Sequence, residues 1–246
     1  MEFLTKMKKN ITLVVAIISM ISAFTVNAAY TQSHDNSSTY LTGMKSMSFM
    51  EVGLSGSTLE RKLKDSYYDL EGYEATFYTG IDLFKWFTVY GRVGFVSADF
   101  SSDVFSKLDG STELTYGVGA EARFLNHDIL DTFGAIDKVR IVAFADYDFY
   151  SSDTSRGSYD WEELVFGATI AVVNEINGEP AYSLESISLF FGPIYSTYFG
   201  DLDEDQSFGL TFGVEAYFSP RISAVFGVDS YDFESPSVYG SVNVQF

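Results

Sequence analysis

Cysteine is absent from this 246-residue chain and proline is scarce, with four. The lack of cysteine excludes a small fold stapled by disulfides, and it removes thiol nucleophiles. Histidine is almost missing: His34 and His127 are the two, so the most usual general base and metal ligand is rare. Positive charge is short as well. Fifteen Lys and Arg stand against 34 Asp and Glu, a net charge of −19. A chain so acidic lacks the basic surface that nucleic acid requires. No P-loop, Rossmann or zinc spacing occurs. Beyond the N-terminus, Gly, Asp, Glu, Ser or Lys interrupts every apolar run, so no later segment reads as a transmembrane helix.

The N-terminus reads as a targeting segment. Lys6, Lys8 and Lys9 form a positive n-region, Ile11 to Val26 an apolar h-region, and Val26-Asn27-Ala28 a small-residue cleavage site. The apolar run is too short to span a bilayer as a helix. Residues 1–28 are therefore expected to be a cleaved signal peptide. Residues 29–46, rich in Ser, Thr and Asn, read as a flexible arm, with a plug inside a lumen as the alternative.

From residue 47 to 246 the chain repeats one physical pattern, an alternating strand followed by a polar connection. Aromatics make up 17% of the chain, with 23 Phe and 17 Tyr, beside 20 Gly, a composition suited to long strands and turns. Ten strands are predicted, near 47–59, 70–83, 87–95, 113–124, 139–150, 161–173, 184–198, 207–218, 222–233 and 237–246. The fourth is the cleanest: Leu114, Tyr116, Val118, Ala120, Ala122 and Phe124 oppose Thr115, Gly117, Gly119, Glu121 and Arg123. The fifth is the least clear, because Val142 and Phe144 are apolar on its otherwise polar face. Ordinary strands average about 5–6 residues, whereas a tilted strand crossing a bilayer needs roughly 9–11. Length and a charge-free apolar face predict an all-β fold, a transmembrane antiparallel up-and-down barrel of ten strands. Eight strands would follow if the first and fifth were misread. Aromatics at strand ends, among them Phe84, Trp86, Tyr150, Trp161, Tyr198 and Tyr231, suit interfacial girdles.

The last strand, Ser237 to Phe246, puts Val238, Val242, Val244 and Phe246 on one face and reads as a true C-terminus. It resembles the closing strand of bacterial outer-membrane β-barrels, whose assembly machinery reads a terminal Phe preceded by alternating apolar residues. Tyr90-Gly91-Arg92-Val93-Gly94 and Tyr116-Gly117-Val118-Gly119-Ala120-Glu121 are similar to pieces of small OmpA-like and porin-like barrel domains. The resemblance implies an outer-membrane location. It also implies lipid, lipopolysaccharide and the barrel-assembly machinery as partners, the last reading Val242, Val244 and Phe246. Such domains act as narrow channels, adhesins or envelope anchors. Ten strands also match the omptin proteases, but their Asp and His residues find no counterpart here.

Two constellations stand out. Asp82, Arg92, Glu121, Arg123, Arg140 and Glu215 face the lumen and are expected near the periplasmic ends. They form either a salt-bridge network closing a narrow barrel or a constriction that selects ions. Asp146 and Asp148 on the fifth strand are expected to join that network rather than do acid–base chemistry. Asp201, Asp203 and Asp205 resemble the start of a calcium loop, without its central Gly and distal Glu. A solvated acidic loop and a weak divalent bridge to lipopolysaccharide are both open. No cofactor and no resident metal are expected. The expected function is a non-enzymatic barrel, a small passive pore or a structural surface protein. An outer-loop binding module is the alternative, and an outer-membrane enzyme comes third.

Overall fold

The computed structural model describes residues 50–64, 68–84, 86–102, 107–128, 138–175, 184–203, 207–219, 221–231 and 236–246, without the side chains of 126–128 and 175. The expected signal peptide, the arm and its luminal-plug alternative lie outside the described residues.

Ten strands follow in chain order: β1 (Glu51–Lys62), β2 (Asp69–Phe84), β3 (Phe87–Ser101), β4 (Thr112–Asp128), β5 (Lys138–Thr154), β6 (Gly157–Glu175), β7 (Ser186–Gly200), β8 (Phe208–Ser219), β9 (Ile222–Ser230) and β10 (Ser237–Gln245). Each pairs antiparallel with its chain neighbours, and β10 returns to β1, so the sheet closes into an up-and-down barrel. The first and fifth strands are both present, which settles the count at ten rather than eight. No helix among the described residues is long and apolar enough to cross a membrane.

Alternation decides which side chains face out. Phe95, Val118 and Phe226 are each 60% exposed, and Phe77, Phe191 and Phe212 are exposed with them. Residues one position away, such as Thr76, Thr115, Thr211 and Ser223, are buried. Large apolar groups therefore point outward and small polar ones inward, the reverse of a water-soluble sandwich. Three bulges interrupt the ladder, at Leu83, Phe124 and Phe218, all at the periplasmic ends of their strands. A bulge adds one residue to one strand. It lets Phe124 and Leu125 both stand exposed in sequence.

The outer ends depart from the sequence reading. The connection expected over 151–160 is strand: Ser151 pairs with Asp160, Ser152 with Tyr159 and Thr154 with Gly157, leaving Ser155-Arg156 as the turn. Gly157 closes it with φ +154°. Polar residues above the lipid still alternate, and the hairpin continues where the apolar signal stops. β5 and β6 reach 17 and 19 residues while β9 and β10 have 9 each, so the outer rim is tall on one side and low on the other.

Candidate functional site in the lumen

Large inward rings lie along the barrel wall over neighbouring glycines. Tyr78 lies over Gly53, Tyr90 over Gly119, Phe144 over Gly167, Phe190 over Gly213 and Tyr239 over Gly227. Every ring and its glycine are direct cross-strand partners. A Cβ on any of these glycines would come within 2.3 to 2.8 Å of the ring. One such pair occurs in each of the hairpins β1–β2, β3–β4, β5–β6, β7–β8 and β9–β10. Val142 and Phe144 thus belong to the inner face of β5, which resolves the ambiguity of that strand.

Glycine also opens the way for charge. Arg92 on β3 reaches across Gly117 on β4 to chelate Asp148 on β5, and its Nη2 lies 3.2 Å from Asp146. A Cβ at Gly117 would sit 1.9 Å from the Asp148 carboxylate. Tyr90 donates to Asp146 at 2.6 Å. Nearer the periplasm, Arg140 pairs with Glu215 at 2.7 Å and donates to the Tyr217 hydroxyl at 3.2 Å. Arg123 pairs with Glu121, two residues back on its own strand, at 3.0 Å. Asp82 accepts from the Thr88 hydroxyl at 2.5 Å. Of the six residues expected together, Asp82, Glu121, Arg123, Arg140 and Glu215 stay at one end, with Arg123 in electrostatic reach of Asp82 and Arg140, and Arg92 stands apart. Arg92 takes its partners from β5, Asp82 turns to a hydroxyl, and Asp146 and Asp148 join the lumen ion pairs.

The sequence reading missed Arg61 and Glu163. They pair at 2.8 Å, both nearly fully buried, and Ser196 donates to the same Glu163 oxygen at 2.6 Å. The Arg61 guanidinium lies over the Tyr231 ring, 3.1 Å from its centroid. A longer first strand would have exposed the signal, since Arg61 continues the inward parity of Gly53 and Ser55.

Around this pair the outer mouth is packed with apolar side chains. Leu70, Val96, Phe100, Tyr150, Trp161 and Tyr198 form one buried cluster with Leu63, Leu108 and Leu202 from the connections. Leu70 is 1% and Trp161 2% exposed. Tyr150, Trp161, Tyr198 and Tyr231, expected in an interfacial girdle, are buried inward instead. Their parity explains it: Tyr150 follows Asp146 and Asp148, and Trp161 precedes Glu163, on inward positions. Phe84, Trp86 and Phe218 do face out at the periplasmic ends, with the first two stacked at 5.6 Å.

Two connections meet across the mouth. The Lys64 N–H donates to the Asp203 carbonyl at 2.8 Å, and their side chains lie 3.5 Å apart. Asp201 accepts from the Asp160 N–H at 2.9 Å. Asp201 and Asp203 are thus engaged with protein groups, and Asp205 lies outside the described residues. No cluster of three His, Cys, Asp or Glu suited to a metal ion occurs among the described residues. Val242 on β10 and Phe246 just after it are exposed, whereas Val244 is buried.

No protein-family profile and no curated protein sequence matches this chain. Solved structures similar to it include distant outer-membrane barrels. The transport unit of the autotransporter AIDA-I from Escherichia coli is 10% identical, over 89% of this chain and 94% of that one, with a TM-score of 0.42. An outer membrane channel from Pseudomonas putida F1 is 12% identical, over 80% and 95%, at 0.44. The translocator domain of NalP from Neisseria meningitidis is 11% identical, over 95% and 96%, at 0.36. Likeness at this level lends no weight to any function. The architecture rests on the chain's own pairing and is that of the bacterial outer-membrane β-barrel. Closure without a free edge and an apolar exterior place it in an outer membrane.

Proposed function

We propose that this protein is a non-enzymatic outer-membrane barrel that is shut at its outer mouth, a structural surface protein rather than an open passive pore. One observation carries the reading: the apolar cluster around Leu70, Phe100 and Trp161 is buried where an open pore would be wet. An apolar constriction also excludes ions by keeping water out. Below the cluster, rings seated on glycines line the wall of the bore. Outer-membrane lipid and lipopolysaccharide are the surroundings this reading requires. An assembly machinery that reads Val242, Val244 and Phe246 is the partner the closing strand suits.

Reconstitution in planar bilayers tests it. The purified barrel is expected to give no steady single-channel current. Persistent openings of the unaltered protein would show a passive pore instead.

A further inference from the structure

The lumen holds more carboxyl groups than cationic groups. Arg61, Arg92, Arg123 and Arg140 are matched to Glu163, Asp146 with Asp148, Glu121 and Glu215. Four further inward carboxylates, Glu51, Glu74, Asp82 and Asp229, meet no Lys or Arg within ion-pair distance among the described residues. Glu51 accepts from the Tyr78 hydroxyl at 3.3 Å and Glu74 from the Ser57 hydroxyl at 3.4 Å. Even with buried Lys138 counted, the interior carries a surplus of acid. The surplus is spread along the bore: Glu74 and Asp229 sit on the outer halves of β2 and β9, and Glu51 and Asp82 near the periplasmic end.

A second observation is independent of that charge. Arg61 Nη1, beside the apolar cluster, and Ser188 Oγ, directly opposite Glu215, are buried without a hydrogen-bond partner. Buried polar groups are ordinarily satisfied, by water where protein does not reach. Unused donors at two depths and carboxylates met by hydroxyls rather than by cations describe a bore built to be wet. Its polar length contrasts with the dry cluster above it.

We propose that the lumen is a latent path for monovalent inorganic cations, closed by the clasp of Leu63 and Lys64 against Leu202 and Asp203. The inference rests on the closed-mouth reading above. Leu63 and Leu202 share the buried outer cluster, and Lys64 and Asp203 are joined beside them. Fixed carboxylates concentrate cations and repel anions in a narrow low-dielectric channel.

The test uses the full chain in planar bilayers under a potassium chloride gradient, with heat-modifiable gel mobility reporting the folded barrel. The variant L63S/L108S/L202S alters residues outside the barrel strands and wets the mouth. It is expected to conduct, with potassium favoured over chloride by roughly tenfold, as a surplus of fixed charge dictates. Adding E74Q/D229N is expected to lower that ratio severalfold. A folded mouth variant that stays silent, or that conducts without preference for cations, overturns the proposal. If the triple variant does not fold, K64A/D203A takes its place, with more frequent cation-selective openings expected and unchanged silence against the proposal. Steady current through the unaltered protein would sink the closed-mouth reading and the clasp with it, and its potassium-to-chloride ratio would still decide whether the lumen favours cations.

Discussion

Gly117 and Gly119 determine whether Arg92 and Tyr90 reach β5. An added methyl at Gly117 meets the Asp148 carboxylate at 1.9 Å, and at Gly119 it meets the Tyr90 ring at 2.3 Å. Gly117→Ala and Gly119→Ala are expected to destabilise the barrel by about 1–3 kcal/mol each, the usual cost of overpacking. Gly91→Ala, whose nearest neighbour is 3.9 Å away, is expected to change little. Urea unfolding in lipid vesicles reads all three. Arg92→Ala removes the one guanidinium shared by Asp146 and Asp148, and Asp148 is almost wholly buried. A loss of about 3–5 kcal/mol is expected in the same assay, as when one member of a buried pair is deleted. If Arg92→Ala unfolds at the same urea concentration as the parent, the pair is not as buried as described. The inward facing of Gly117, Arg92 and Asp148 was legible from alternation alone. Their meeting was not, because it depends on a glycine between two strands that alternation treats as equivalent to any small residue.

At the scale of the strand, the lipid face is the sensitive side. Phe212 is exposed in the middle of β8, while Thr211 beside it is buried. Phe212→Arg is expected to cost about 2–4 kcal/mol, the penalty for a cation near the bilayer midplane. Folding yield into vesicles and the unfolding midpoint measure it, and a neutral result would place Phe212 out of lipid. The ten strands were legible because a period of two persists wherever lipid meets one face. Their outer ends were not. Tyr150, Trp161, Tyr198 and Tyr231 look interfacial by residue type, since aromatics favour headgroup belts. Parity with Asp148 and Glu163 turns them inward, and the strands run further out than the apolar signal does. A reading that carried parity past the last apolar residue would have found the outer cluster and Arg61.

For the whole molecule, closure follows from the solvent. Unpaired backbone groups have no water to turn to in hydrocarbon, so β10 must meet β1, and it does, from Glu51 opposite Gln245 to Ser57 opposite Tyr239. Strand count and closure were legible from the sequence. Whether the bore is open was not, since it depends on rotamers of large inward residues such as Tyr78 and Phe190 and on connections with no periodic signal.

The chain lacks cysteine, so a single introduced thiol is unique, and this permits the most direct measurement. Cysteines placed one at a time from Gly209 to Val214 on β8 would carry a fluorophore in vesicles containing brominated lipid. Quenching is expected to alternate, strong at Leu210, Phe212 and Val214 and weak at Gly209, Thr211 and Gly213. Uniform quenching, or its reverse with the even positions shielded in a water-soluble protein, would contradict the account.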